Sequence, residues 1–157
     1  MNRVHHVSWC FEPENLEAAK TLWERQLGVP LLDFVLESDG LRVLLAWDQG
    51  VELISPHGQP GPAGSMVRDH LDRCGEGVYA VVLFTDDFTS VVDGLGKAGA
   101  TVVHPEEAVL EGVPLPTRPS DAGPPSEDEL GFEMTGGMFS EILGMRLAFQ
   151  QFRLIER

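Results

Sequence analysis

The chain has 157 residues, room for one compact domain or for two small modules sharing a core. Eleven Lys+Arg against 25 Asp+Glu give a formal charge of −14, which argues against nucleic-acid binding and against docking on anionic lipid. At 43% hydrophobic and 23% charged it is too apolar for disorder, and no run reaches the ~18–20 apolar residues of a membrane span. The first residues, Met1-Asn2-Arg3-Val4-His5-His6, hold no apolar signal core, so the expected location is cytoplasmic. Cys10 and Cys74 lack CxxC partners and read as buried, reduced thiols.

Val4–Phe11 is β-rich and too short for a lone helix, and it reads as a strand. Pro13 and Asn15 then open a helix whose stripe is Leu16, Ala19, Trp23 and Leu27, with Gly28 as terminator and Pro30 preventing continuation. Strands follow at roughly 31–37, 41–47 and 51–55, joined by Ser38-Asp39-Gly40 and Asp48-Gln49-Gly50. His57–Gly64 is a Gly/Pro linker, and Val67, His70, Leu71 and Cys74 then make a short amphipathic helix. Val78–Thr85 is a second buried strand. Asp86-Asp87 caps a helix with stripe Phe88, Val91, Val92, Leu95 and Ala98. Strands are expected again at 100–104, 131–134 and 138–143.

The order β-α-β-β-β therefore occurs twice. Val4–Phe11 lines up with Val78–Thr85 without a gap, and Val51-Glu52-Leu53-Ile54 lines up with Ser140-Glu141-Ile142-Leu143. The expected division is a first module at 1–56, a linker with a short helix at 57–77, a second module at 78–145 and a C-terminal extension at 146–157. Residues 105–129 hold six of the eleven prolines and seven acids against Arg118, and they read as a surface loop or lid within the second module. The run from Met145 fits a helical stripe or an extended continuation; covering a sheet edge or making a homodimer contact would both explain it.

Glu52 sits in an otherwise apolar strand, and Glu141 precedes Ile142 and Leu143. A carboxylate on a buried face is costly unless it is paired or bound to a metal. Together with His6, these acids form a candidate divalent-metal set suited to Zn, Fe, Mn, Co or Ni; the competing reading is a solvated face or a hydrogen-bonded core histidine. Strand alternation predicts that His5 and His6 point to opposite faces. Trp9 and Trp47 are candidates for an apolar pocket, with core packing as the alternative. Gly94-x-Gly96-x-x-Gly99 has dinucleotide spacing but lies in and at the end of a helix, so no nucleotide cofactor is expected.

Four stretches carry a resemblance. Val51-Glu52-Leu53-Ile54-Ser55-Pro56, Ser65–Leu71 and Gly75-Glu76-Gly77-Val78, followed by Gly136-Gly137-Met138-Phe139-Ser140-Glu141, resemble the vicinal oxygen chelate (glyoxalase/bleomycin resistance/extradiol dioxygenase) superfamily, and within it the methylmalonyl-CoA epimerase-like branch. The resemblance implies an α+β fold in which two βαβββ modules form a half-open curved sheet or barrel with a ligand cavity. It places metal ligands at His6, Glu52, Ala80 and Glu141, of which Ala80 offers no lone pair. His57, His70 and His104 lie outside the aligned positions. The implied activity is that of a metal-dependent isomerase, lyase or dioxygenase acting on a small oxygenated metabolite, with Glu141 and Glu52 as ligands or proton-transfer bases. The alternative is a metal-free small-molecule binding or sequestration protein of the bleomycin-resistance type, which Ala80 favours.

Overall fold

The structure, a computed structural model, describes residues 3–114, 130–139 and 146–154, with side chains described over 4–101, 133–137 and 146–151. Its elements are β1 (Arg3–Cys10), α1 (Leu16–Thr21), β2 (Leu32–Leu36), β3 (Leu41–Ala46), β4 (Val51–Pro56), α2 (Pro62–Cys74), β5 (Gly77–Phe84), α3 (Phe88–Lys97), β6 (Val102–Pro114), β7 (Leu130–Phe139) and β8 (Leu147–Leu154). The expected α+β fold of two βαβββ modules is the fold observed: β1-α1-β2-β3-β4, then β5-α3-β6-β7-β8, with α2 between them. The chain divides into two compact units, His5–Val81 and Val82–Arg157 with Met1–Val4, so that β5 begins in one and ends in the other.

In the first unit the strand order is β2-β3-β4-β1. β2, β3 and β4 are antiparallel neighbours, and β1 runs parallel to β4 with Ser8 opposite Glu52 and Cys10 opposite Ile54. Gly40 and Gly50 end the two tight connections in the left-handed region, at φ +65° and +68°, where a Cβ would be strained. One face of this sheet packs on α1 through Leu16, Ala19, Leu44, Val51 and Leu53, with Trp9 and Trp23 against them. Leu16 and Ala19 hold the expected stripe, but Leu27 is 57% exposed. After Thr21 the helix widens into a π turn over Leu22–Gln26, and the Leu27 N–H donates to Leu22 O at 3.1 Å. The extra residue in that turn carries Leu27 off the buried stripe, and Val29 packs there instead.

In the second unit the order is β5-β8-β7-β6. As expected, Asp87 caps α3, accepting from the Ser90 N–H at 3.0 Å. Val91 packs on Phe149 of β8. The structure differs from the sequence reading over the rest of this module. Residues 105–114, read as the start of a surface loop, continue β6 and pair with β7 from Val102↔Phe139 to Pro114↔Leu130. β6 is the end strand of the sheet, so Pro105 and Pro114 can sit in it without removing a bond that a second neighbour needs. The remaining insert, 115–129, lies outside the described residues. Of the strands expected at 131–134 and 138–143, the described part, 131–139, belongs to one strand, β7, while 140–143 lie outside the described residues; the run after Met145 is β8, antiparallel to β7. Cys10 is buried as expected, whereas Cys74, at the last position of α2, is exposed.

Candidate functional site: a polar cluster on β1 and β4

Strand alternation puts His6, Ser8 and Cys10 of β1 on one face, at 1%, 2% and 0% exposure, while Trp9 turns to the helix side. Across the parallel pair, Glu52 stands opposite Ser8, and Leu45 of β3 stands opposite Glu52. Leu41, Val43 and Ile54 occupy neighbouring positions on this face, so three polar groups, His6, Ser8 and Glu52, sit among aliphatic side chains. The sequence expectation that Glu52 would find a partner is met by His6, whose Nε2 lies 3.4 Å from Glu52 Oε2. That nitrogen is fully buried and makes no hydrogen bond, whereas the Glu52 side chain keeps 20% of its surface exposed.

Burial pushes the Glu52 carboxyl up, but the positive potential of His6, with smaller contributions from Ser8 and His5, outweighs it. The net direction is downward, and Glu52 is held as a carboxylate.

Strand alternation alone does not describe the place of His5. Its Cβ leaves the opposite side of the strand, yet His5 Nδ1 lies 2.8 Å from His6 Nδ1, with the rings edge-to-face at 5.1 Å. Nδ1 is close enough to the backbone for two adjacent imidazoles to meet beside the strand. Trp47 meets the other side of His5, centroids 6.0 Å apart. Ser8 and His5 were not singled out from the sequence; a polar residue at the i+2 position from His6 was the available signal for Ser8.

Two donors about 2.1 Å from one divalent ion and at a tetrahedral angle stand about 3.4 Å apart. The separation of His6 Nε2 and Glu52 Oε2, an imidazole nitrogen without a hydrogen bond and an ionised carboxylate, fits that requirement. Among the described residues no group of three or more His, Cys, Asp or Glu comes together to hold an ion. Ala80 is 2% exposed and offers no donor. Glu141, the remaining predicted site residue, lies outside the described residues. His70 packs edge-on against Tyr79 at 5.2 Å.

The two modules can be compared through matching hydrogen bonds. Phe11, just after β1, donates its N–H to Ile54 O at 3.0 Å, and Thr85, just after β5, donates to Gln150 O at 2.9 Å. Ile54 thus corresponds to Gln150, Leu53 to Phe149 and Glu52 to Ala148. Leu53 and Phe149 each pack against the helix of their own module, which supports the register. The sequence match of Val51–Ile54 with Ser140–Leu143 is replaced by one with Leu147–Gln150, because β8 closes the second module. In the second unit a separate cavity of about 350 Å³ opens beside α3, lined by Thr85, Asp87, Gly94 and Phe149 among others.

The sequence profile of the Glyoxalase/Bleomycin resistance protein/Dioxygenase superfamily matches residues 3–112. No curated protein sequence matches the chain. Among solved structures, a hypothetical protein from Bacillus halodurans is similar with TM-score 0.66 and 13% identity, over 99% of this chain and 98% of that one. A methylmalonyl-CoA epimerase of Streptomyces coelicolor, in complex with 2-nitronate-propionyl-CoA, is similar with TM-score 0.62 and 17% identity, over 95% and 96%. One from Mycobacterium tuberculosis is similar with TM-score 0.61 and 15% identity, over 94% and 86%. No helix among the described residues is long and apolar enough to cross a membrane.

Proposed function

From the premise that this chain belongs to the Glyoxalase/Bleomycin resistance protein/Dioxygenase superfamily, we propose that it is a metal-dependent enzyme acting on a small oxygenated metabolite, through isomerase, lyase or dioxygenase chemistry. His6 and Glu52 would hold the ion, a Zn, Fe, Mn, Co or Ni, with Glu141 as the third protein ligand. When bound, such an ion would supply Lewis acidity that stabilises negative charge developing on substrate oxygen. The observation that carries this reading is the buried His6 Nε2, without a hydrogen bond and 3.4 Å from an ionised carboxylate.

The protein's own groups supply the rest. Leu41, Val43, Leu45 and Ile54 keep water from the face that bears the cluster and strengthen its electrostatics. The exposed fifth of Glu52 is the edge a ligand would reach. As an alternative to ligation, Glu141 or Glu52 would take or return a substrate proton. The same reading has the protein acting in the cytoplasm on a small molecule, with a homodimer as its assembly, which light scattering tests.

A second reading, metal-free binding or sequestration of a small molecule, is favoured by Ala80 and Ala148, methyl groups where His6 and Glu52 stand in the other module. Metal quantification on protein purified without chelator separates the two. Near-stoichiometric Zn, Fe, Mn, Co or Ni that is lost in Glu52→Ala and in His6→Ala supports the enzyme. No bound metal, together with no thermal stabilisation by any divalent ion, would sink it in favour of sequestration.

A further inference from the structure

The C-terminal ends of β1 and α2 are stitched together by polar contacts. The Glu12 N–H, just past Cys10, donates to Glu76 Oε1 at 2.8 Å, and Asn15 Nδ2 donates to the same oxygen at 2.9 Å. Arg68 of α2 donates from Nη1 to Glu12 Oε2 at 2.7 Å. Within this seam Cys10 Sγ lies 4.0 Å from the carbonyl oxygen of Gly75, the residue that follows Cys74. Cys74 comes one helical turn after Leu71 and two after Val67, the buried stripe of α2, so its Cβ leaves the helix on the buried side. It is exposed because the helix ends there.

The geometry points to a reversible Cys10–Cys74 disulfide, formed by exchange with a low-molecular-weight disulfide, that latches the end of β1 to the end of α2. Exposed Cys74 is the entry thiol, and buried Cys10 is the resolving one. With glutathione disulfide as the oxidant, the Cys74 thiolate attacks one of its sulfurs. A Cys74–glutathione bond forms, the glutathione S–S bond breaks, and one glutathione leaves as a thiolate. Cys10 then gives up its proton and attacks the Cys74 sulfur; the Cys10–Cys74 bond forms and the second glutathione leaves. Two cysteine thiols are oxidised, one glutathione disulfide is reduced to two thiols, and the protons pass from the cysteines to the glutathiones. The end of α2 has the freedom to close the remaining distance. Gly75 and Gly77, at φ +76° and +145°, join it to β5, and nothing lies within 4 Å of a Cβ at either. The bond closes the chain from β1 through α2 into one covalent loop, which restricts the unfolded state. Cys10 shares its strand face with His6 and Ser8, so the latch holds the far end of the strand that carries the polar cluster. It does not depend on the proposed metal function.

Native protein incubated with glutathione disulfide, then read by intact mass and by non-reducing peptide mapping, tests the latch. Wild type is expected to give a monomer lighter by two hydrogens, with a Cys10–Cys74 cross-linked peptide. That species should melt about 5–10 °C above the reduced protein and return to it when excess reduced glutathione is added. Cys10→Ala should stop at the glutathione adduct on Cys74. Cys74→Ser, a change at an exposed position, should not react while folded, and it keeps the comparison readable if Cys10→Ala does not fold. Wild type that stops at a Cys74 adduct, or that couples instead to a second copy through Cys74, would overturn the inference. So would a cross-linked protein whose melting temperature is unchanged.

Discussion

Glu52 and Ala148 hold corresponding places in the two βαβββ modules, one residue before Leu53 and Phe149, the apolar side chains that pack on each module's helix. The helix-facing position must be apolar in both copies because it closes a core. The position beside it faces the other side of the strand and is free to differ. The first copy places there a carboxylate paired with His6; the second places a methyl group, and Ala80 matches His6 in the same way. The repeat thus builds the fold twice, and among the described residues it places the polar cluster once.

Glu52→Gln tests that cluster with little change of volume. The folded carboxyl is held below its ordinary value, so ionised Glu52 contributes stability at pH values above the unfolded pKa of roughly 4.3, and this contribution is lost as pH falls through the depressed folded value. Wild type should therefore exceed Glu52→Gln in melting temperature at pH 7, and the gap should close under acid. Divalent ions should stabilise wild type further and leave the variant unmoved. A gap that widens as pH falls, or equal stabilisation of both proteins by zinc, contradicts the assignment.

Much of the first module was legible in the sequence because its signals are local. Short, mostly apolar runs at Leu41–Ala46 and Val51–Pro56, each preceded by a turn sequence that ends in Gly40 or Gly50, located both strands and turns to within a residue or so. His6 and Glu52 were legible for the same reason, as polar residues on an apolar strand face. What local pattern could not supply was anything set by a neighbouring strand. Glu106–Glu111 reads as a charged loop until β7 is beside it, and Leu147–Leu154 alternates no better as a strand than as a helix until β7 and β8 pair. The His5–His6 contact was missed because alternation describes Cβ directions, and an imidazole reaches back past its own Cβ.

Asp33 anchors a second, structural network. Arg42 of β3 donates from Nε to Oδ1 at 3.0 Å and from Nη2 to Oδ2 at 2.7 Å; Lys20 of α1 donates to Oδ2 at 2.8 Å, and Glu17 of α1 holds Arg42 Nη1 at 2.6 Å. The Arg42 bonds, against the opposing effect of burial and with help from Lys20, hold the Asp33 carboxyl down to about 2, from an ordinary 3.8. A depressed folded pKa contributes stability above the unfolded value that disappears as pH falls from about 4 toward about 2. Solvent screening of a carboxylate 29% exposed reduces the full linkage value, so Asp33→Asn should cost about 1–2 kcal/mol at pH 7. Urea titrations at pH 7 and at pH 2.5 check this. The variant should lose less stability between the two pH values than wild type does, and an equal loss would mean that the network contributes nothing.

Gly64 in the first turn of α2 offers the sharpest test of close packing. A Cβ built there would run into the Gly40 carbonyl oxygen, with the Gly40 carbon at 2.9 Å and the Asp39 oxygen at 3.0 Å, so the helix start rests directly on the backbone of the β2–β3 connection. That backbone cannot yield easily. Gly40 is itself left-handed, and its carbonyl also accepts the His57 N–H at 2.8 Å. Gly64→Ala should therefore cost about 2–4 kcal/mol, despite alanine's better helix propensity. Gly94 in α3 is the control: nothing lies within 4 Å of a Cβ there, and its φ is not in the left-handed region. At that position the same substitution lowers the entropy of the unfolded chain without a clash, and it should stabilise by about 0.5–1 kcal/mol. Denaturant midpoints of the two variants should move in opposite directions; a Gly64→Ala protein as stable as Gly94→Ala would mean that α2 does not seat on Gly40.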